Sequence, residues 1–341
     1  MTDTAATAAI ADAPLVGLGD VRAAAATLEG VAIRTPLVRF GRPEDRRYLK
    51  AESLQPIGAF KIRGAYTAVA SLAAEERARG VITYSSGNHA QGVARAARLL
   101  GAPAVVVMPS DAPAIKRQRV VADGAEIVIV GTASDERQAV AERIAAERGL
   151  AIIPPFDDDR VIAGQGTVGL EIAEELPDVV AVLVPIGGGG LASGIAVAVR
   201  ALVPDARVIG VEPELGADAR ESLASGRIVT WPAEEVSRTI ADGTRTRALG
   251  RRTFAHLSRL LDSVVTVSEV EIAAGVRLAA EESRLVVEPS GALSVAALAF
   301  HAAELGLDRL DGRPVVAVVS GGNVDLDRYL EFLQAPIPPR G

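Results

Sequence analysis

From residue 81 onward the apolar positions fall in short unbroken runs. Each run is followed by a polar, glycine-bearing turn and then by an alanine-rich stretch of helical period. Runs at 81–84, 104–108, 126–130 and 151–153 predict strands. Helices are predicted between them, one ending at Leu100, one around 114–122 and one at about 134–148. Runs without polar alternation suit strands buried on both faces, as in a parallel sheet covered by helices. Pro154-Pro155-Phe156-Asp157-Asp158-Asp159 interrupts the pattern, and Pro109 ends the second strand. A second series follows, with a helix at about 164–175, a strand at 179–184, a four-glycine turn, a helix at 191–201 and a strand at 207–211. Residues 213–265 show no clear period, and helices at about 269–282 and 291–304 then lead to a strand at 314–319. Repeated strand–helix alternation with short links predicts an α/β chain with right-handed crossovers. The first 80 residues are expected to join the second series. That gives a large domain of 1–79 plus 154–341, a small mobile domain of 80–153, and Lys61 facing the glycine turns across a cleft.

Composition agrees with two domains. The chain has 341 residues, 49% of them hydrophobic but only 3% aromatic, so its core is built from small aliphatic side chains. A net charge of −7 with no basic run argues against a nucleic-acid partner. The absence of cysteine excludes disulfides, thiolate nucleophiles and cysteine-held zinc. His89, His256 and His301 share no metal-ligand spacing. No signal peptide and no membrane-spanning run is visible, so a cytoplasmic protein without a membrane partner is expected. Residues 1–13 and the proline-rich tail after Leu333 are expected to lie loose on the surface.

Three features carry candidate chemistry. Gly187, Gly188, Gly189 and Gly190 follow a predicted strand and precede a helix, where backbone N–H groups converge on an anion and the helix dipole adds to their pull. The same turn also reads as a tight strand-to-helix connection, and it is neither a dinucleotide-binding fingerprint nor a P-loop. Ser85, Ser86, Asn88 and His89 occupy a second strand-to-helix turn, either clasping a substrate carboxylate or serving as helix caps. Lys61 stands between Phe60 and Ile62. Shielded from water its amine is free for Schiff-base chemistry, and exposed it is a snorkelling surface lysine. Arg63 reads as structural or solvent-facing.

The segments GAFKIRGAY (58–66), SSGNHAQGVA (85–94), AGQGT (163–167), GGGGLASG (187–194), VEPE (211–214), TIADG (239–243), EPSGA (288–292) and SGGN (320–323) occur in family order over nearly the whole chain. In these the sequence resembles the fold-type II pyridoxal-phosphate enzymes, in the group of threonine/serine dehydratases, serine racemases and 3-hydroxyaspartate dehydratases. The resemblance implies two open twisted α/β domains, tryptophan-synthase-β-like, with pyridoxal 5'-phosphate in the cleft between them. It implies a homodimeric ammonia-lyase acting on a small hydroxy amino acid, L-threonine or L-serine by default, and a short catabolic form without a regulatory domain. It implies that Lys61 carries the cofactor and takes the Cα proton, that Phe60 lies beside the ring, and that Asn88 hydrogen-bonds the ring hydroxyl. Gly187, Gly188, Gly189 and Gly190 would bind the phosphate, and Ser320 would face the ring nitrogen. Ser86 corresponds to the residue that acts on the opposite face of Cα in racemases, and Arg137 and Thr246 to residues that approach a side-chain carboxylate. Glu212, Gly216 and Asp218 match a Mg²⁺ or Ca²⁺ site, or else form an ordinary acidic turn. Ala59 departs from the pattern, standing where many dehydratases have serine. A catalytically silent cofactor-binding protein would need a broken lysine or polar loop, and neither is broken.

Overall fold

The computed structural model describes residues 14–85, 87–110, 112, 114–131, 134–308 and 312–339. In chain order the strands are β1 (Leu37–Arg39), β2 (Arg47–Ala51), β3 (Val81–Tyr84), β4 (Ala104–Pro109), β5 (Glu126–Val130), β6 (Ala151–Ile152), β7 (Ala181–Pro185), β8 (Arg207–Pro213), β9 (Ser263–Val267) and β10 (Val315–Val319). They form a six-stranded sheet of order β1-β2-β10-β7-β8-β9 and a four-stranded sheet of order β5-β4-β3-β6. Every pairing is parallel except that of β1 with β2. The early strands β1 and β2 therefore join the large sheet, beside the late strand β10.

Both faces of each sheet are covered, which is why the strand runs are continuously apolar. In the large sheet Val316 and Val318 pack with Val182, Val184 and Val208 toward Ile172 and Ile195 of the helices Asp159–Glu175 and Gly190–Leu202. Their neighbours Val315, Ala317 and Val319 face the other way, onto Ile272 and Leu293 of the helices Glu269–Ser283 and Pro289–Phe300. In the small sheet Val106 and Met108 meet Val93 of the helix Asn88–Leu99, while Val105 and Val107 meet Ala141 and Ile144 of the helix Ser134–Arg148.

Two features set the helix Lys61–Ala70. It crosses Asp159–Glu175 at backbone contact: a Cβ on Gly164 would lie 2.7 Å from both Arg63 O and Gly64 Cα, so only glycine permits the approach. Below the crossing lies a buried charge cluster. Arg63, only 1% exposed, holds Glu52 through Nε and NH2 (both 2.8 Å) and Glu171 through NH1 (2.6 Å), and Lys50 Nζ bonds Glu171 Oε2 at 2.6 Å. Of the two readings of Arg63, the structural one stands and the solvent-facing one does not.

Several predicted boundaries shift. The helix expected at 164–175 begins at Asp159, because Asp158 accepts the N–H groups of Arg160 and Val161 as its cap. The strand expected at 179–184 is Ala181–Pro185, and the helix at 291–304 is Pro289–Phe300, with Pro289 in its first turn. Residues 213–265 gave no period because they form short pieces, among them the helices Asp218–Ser225, Ala233–Val236 and Arg251–Leu260. Among the described residues no helix is long and apolar enough to cross a membrane. Residues 1–13 lie outside the described residues, and the tail runs along the surface with Ala335 O bonded by Arg277.

Candidate active site

Parallel strands gather their C-terminal loops at one edge, and ligand sites of open α/β sheets form there. The loops after β3, β7 and β10 bring Ser85 and Asn88, Gly187 to Gly190, and Ser320 to one cavity of ≈ 350 Å³. Phe60, Lys61, His89, Arg137 and Thr246 line it too. Ser86 lies outside the described residues. The cavity is also lined by residues to which the sequence reading assigned no role there: Tyr84, Lys116, Phe156, Asp242, Arg245, Arg247 and Glu288. Glu288 had one visible signal, its place at the head of the EPSGA segment. Lys116 had none, being an ordinary helix-surface lysine by pattern.

Lys61 opens its helix, so its side chain leaves from the first turn into the cleft. Nζ donates to Pro155 O at 2.6 Å and sits 5.0 Å from the centre of the Phe60 ring. Burial brings its pKa down to about 8. The proline-rich break in the sequence thus supplies the carbonyl that receives the lysine.

The glycine turn is shaped by what presses on it. A Cβ on Gly188 would lie 2.2 Å from the Phe156 ring, and Gly189 sits at φ +92 as N-cap of the helix Gly190–Leu202. Among the described residues none of the N–H groups of Gly187 to Gly190 has a hydrogen-bond acceptor. Four unsatisfied donors at the positive end of a helix suit a phosphate.

Around this pair the polar side chains are fixed. Asn88 Nδ2 donates to Glu288 Oε1 at 2.6 Å and Asn88 Oδ1 accepts from Asn323 Nδ2 at 2.8 Å. Burial, then the Asp242 charge, push Glu288 up to about 8. Lys116 Nζ reaches across to Asp242 Oδ2 at 2.6 Å. His89, 2% exposed, bonds Ile153 O through Nε2 at 3.0 Å. Burial, then the nearby Lys61, pull its pKa to about 3, so the ring is neutral. Its Nδ1 has no partner among the described residues. Ser320 Oγ makes only a long 3.4 Å bond to Ser290 O.

Glu212, Gly216 and Asp218 do not line this cavity. Glu212 accepts from Ala219 N (2.9 Å) and Arg220 N (2.8 Å) and so caps the helix Asp218–Ser225. Burial, then the charge of Asp218, push Glu212 well above the usual carboxylate range. Burial also lifts Asp218 to about 7, and its Oδ2 is buried without a partner. Among the described residues no group of three or more His, Asp or Glu is arranged to hold a metal, and the expected set has only two carboxylates and a main-chain carbonyl.

Comparison with known proteins agrees with this geometry. The chain is 43% identical over 319 residues to the L-threo-3-hydroxyaspartate ammonia-lyase of Saccharomyces cerevisiae, covering 92% of this chain and 95% of that one. It is 39% identical over 318 residues to the serine racemase of Schizosaccharomyces pombe, covering 92% and 96%. Among solved structures, a T.th. threonine deaminase superposes with a TM-score of 0.83 at 44% identity, covering 91% of this chain and 99% of that one. Residues 28–321 match the family described as pyridoxal-phosphate dependent enzyme, and with a lysine and a glycine turn of unsatisfied N–H groups in one cavity and these relatives together, the chain belongs to that family.

Proposed function

We propose that this protein is an ammonia-lyase that converts L-threonine and L-serine to the 2-oxo acid and ammonia. The observation that carries the reading is a low-pKa amine, Lys61, sharing one cavity with the four unsatisfied N–H groups of Gly187 to Gly190. Pyridoxal 5'-phosphate, when bound, draws electrons from the amino-acid Cα and so weakens its C–H bond. Lys61 holds the cofactor and then, as a neutral amine, takes the Cα proton. Gly187 to Gly190 would hold the phosphate, Phe60 would lie beside the ring, and Asn88 would bond the ring hydroxyl. Ser320 would offer the ring nitrogen a hydroxyl rather than a carboxylate, leaving the ring a weaker electron sink, which suits loss of the β-hydroxyl. Ser85, Asn88 and the neutral His89 orient the substrate carboxylate, with Ser86 in the same loop, and this fixes the direction of the Cα–H bond. The four-stranded sheet takes all its strands from 81–152. That supports 80–153 as a small mobile domain against 1–79 plus 154–341. The homodimer rests on the resemblance alone, and the cytoplasmic location on the reading of the sequence.

A second reading has its own support. Among the described residues Arg137, Arg245, Arg247 and Lys116 line the cavity with Thr246, against two acids, Asp242 and Glu288. That excess of positive charge suits a substrate with a second carboxylate, a 3-hydroxyaspartate. The deciding experiment measures 2-oxo acid from L-threonine, L-serine, D-serine and the threo and erythro 3-hydroxyaspartates, with chiral analysis of the remaining serine. Highest kcat/KM on L-threonine or L-serine supports the first reading, and on a 3-hydroxyaspartate the second. Racemised serine without 2-oxo acid points to a racemase, and no turnover of any substrate leaves a silent binding protein.

Glu212, Gly216 and Asp218 are proposed to hold Mg²⁺ or Ca²⁺, supported by the unpartnered Asp218 Oδ2 beside a second buried carboxylate. Either cation at 100 times its Kd should stabilise the protein by about 2.7 kcal/mol, read as a rise in Tm. Asp218→Asn should abolish that rise while raising the cation-free Tm. An unchanged cation response in the variant removes the assignment.

A further inference from the structure

We infer that Glu288 and Asn323 clamp the Asn88 side chain between them, making Glu288 a positioning residue for the end of the cavity where Asn88 meets the cofactor ring, a role that rests on the proposed cofactor reading. Neither residue is assigned a step of the reaction. Both come from distant chain, 200 and 235 positions from Asn88. Glu288 is 3% exposed and gives Asn88 an acceptor, while Asn323 gives it a donor. Turning the Asn88 amide over would set its NH2 against the NH2 of Asn323 and take its donor away from Glu288 Oε1. The buried Asn323 amide would then face a like partner, so one orientation is enforced and with it the polar face that Asn88 turns to the cavity.

Asn323 is itself locked. Its second Nδ2 hydrogen goes to Ile57 O at 2.8 Å, and Arg119 donates to its Oδ1. Two glycines make room for the clamp. Gly58, at φ +72, would carry a Cβ 2.4 Å from Asn323 Oδ1, and a Cβ on Gly321 would lie 2.4 Å from Glu288 Oε1. The phosphate and lysine chemistry gives no reason for glycine at either position, whereas the clamp does. Lys116, paired to Asp242, provides the nearby positive charge that Glu288 needs in a site otherwise hostile to a carboxylate.

A double-mutant cycle read by pyridoxal-phosphate titration of the apoprotein tests the clamp, with Kd and the absorbance maximum of the bound cofactor as readouts. Asn88→Ala is expected to weaken binding about tenfold, the worth of one good hydrogen bond, and to shift the band. Glu288→Leu should do the same, and the double variant should be no worse than either, because Glu288 acts through Asn88. Glu288→Gln should bind within about threefold of the native protein, since its amide oxygen still accepts from Asn88. A double variant about a hundredfold weaker, native-like binding by Glu288→Leu, or Glu288→Gln as weak as Glu288→Leu would each overturn the clamp. If Glu288→Leu shows no cooperative melting, Asn323→Leu takes its place in the same cycle with the same criteria. An Asn88→Ala protein with native affinity and spectrum would instead remove the proposed role of Asn88 toward the ring, and the clamp with it, which separates failure of the parent reading from failure of this one.

Discussion

Lys61→Ala should lose turnover by at least about a thousandfold, within or beyond the range of a lost acid–base group, while the protein stays folded. The side chain is held by a hydrogen bond to Pro155 O and a ring contact with Phe60. Alanine suits a helical first turn, and an amine whose pKa is pulled from 10.5 to about 8 by burial is itself a liability to the fold. The melting temperature should therefore change little. Borohydride should fix the cofactor to Lys61 in the native protein and to no residue in the variant, read by peptide mapping. Fixation elsewhere, or native turnover in the variant, would remove Lys61 from its role.

The same shift gives a pH signature in the cofactor-free protein. Between about pH 8 and 10.5 the unfolded chain holds the lysine proton and the folded chain does not. Stability thus rises with pH across that window, and the cost of the buried charge is fully present below it. Lys61→Ala should flatten this component of the stability-against-pH curve. Below pH 8 the neutral amine that captures an aldehyde falls about tenfold per pH unit, so the rate of cofactor capture should fall in step.

Arg63→Leu is the largest expected effect on stability, about 3–5 kcal/mol, or a fall in Tm of roughly 4–7 °C. Arg63 stands between two carboxylates in a site with almost no solvent, and it also bonds Thr167 Oγ1 and Ile33 O at 3.0 Å each. Among the described residues, removing it leaves Glu52 and Glu171 with Lys50 as their remaining cation. Adding Glu52→Gln should recover part of the loss, since the two residues form one unit. Thermal melts of the single and double variants measure both quantities, and a single variant within about 1 kcal/mol of native would show the cluster to be inconsequential. Burial alone would raise Glu52, but Arg63, its hydrogen bonds and Lys50 together hold it below the usual carboxylate range. Glu52 therefore stabilises the fold above its unfolded pKa, and that contribution is lost as pH falls through the lower folded value. In Arg63→Leu the folded value rises toward or past the unfolded one, so this acid limb should shrink. Because Arg63 lies two positions after Lys61 on the same helix, the variant should also loosen the lysine's hold on the cofactor.

Much of the site was legible in the order of residues along the chain. Lys61, Asn88, the four glycines and Ser320 sit in turns that directly follow or precede a strand or helix, and such turns have a local signature. Arg63 was ambiguous because an arginine two residues past a lysine on a short helix looks the same facing water or facing two acids. Lys116 is unremarkable on its own segment, and Asp242, though inside the TIADG segment, had no assigned role; only their 2.6 Å contact gives them one. The stretch 213–265 was opaque because its pieces, such as the four residues Ala233–Val236, are shorter than the period used to detect them.

Over 81–211 and 269–319 the sequence by itself determined the element types, the parallel character of those strands and the glycine turns, because hydrophobic period and turn chemistry act within a few residues. Only tertiary structure decided that β2 lies beside β10, that Pro155 O receives Lys61, that Arg63 neutralises two buried acids, and that Glu288 and Asn323 grip Asn88. Each of those depends on groups brought together from distant chain, where the cost of burying a charge or an unpaired amide is met by a partner that no local pattern can name.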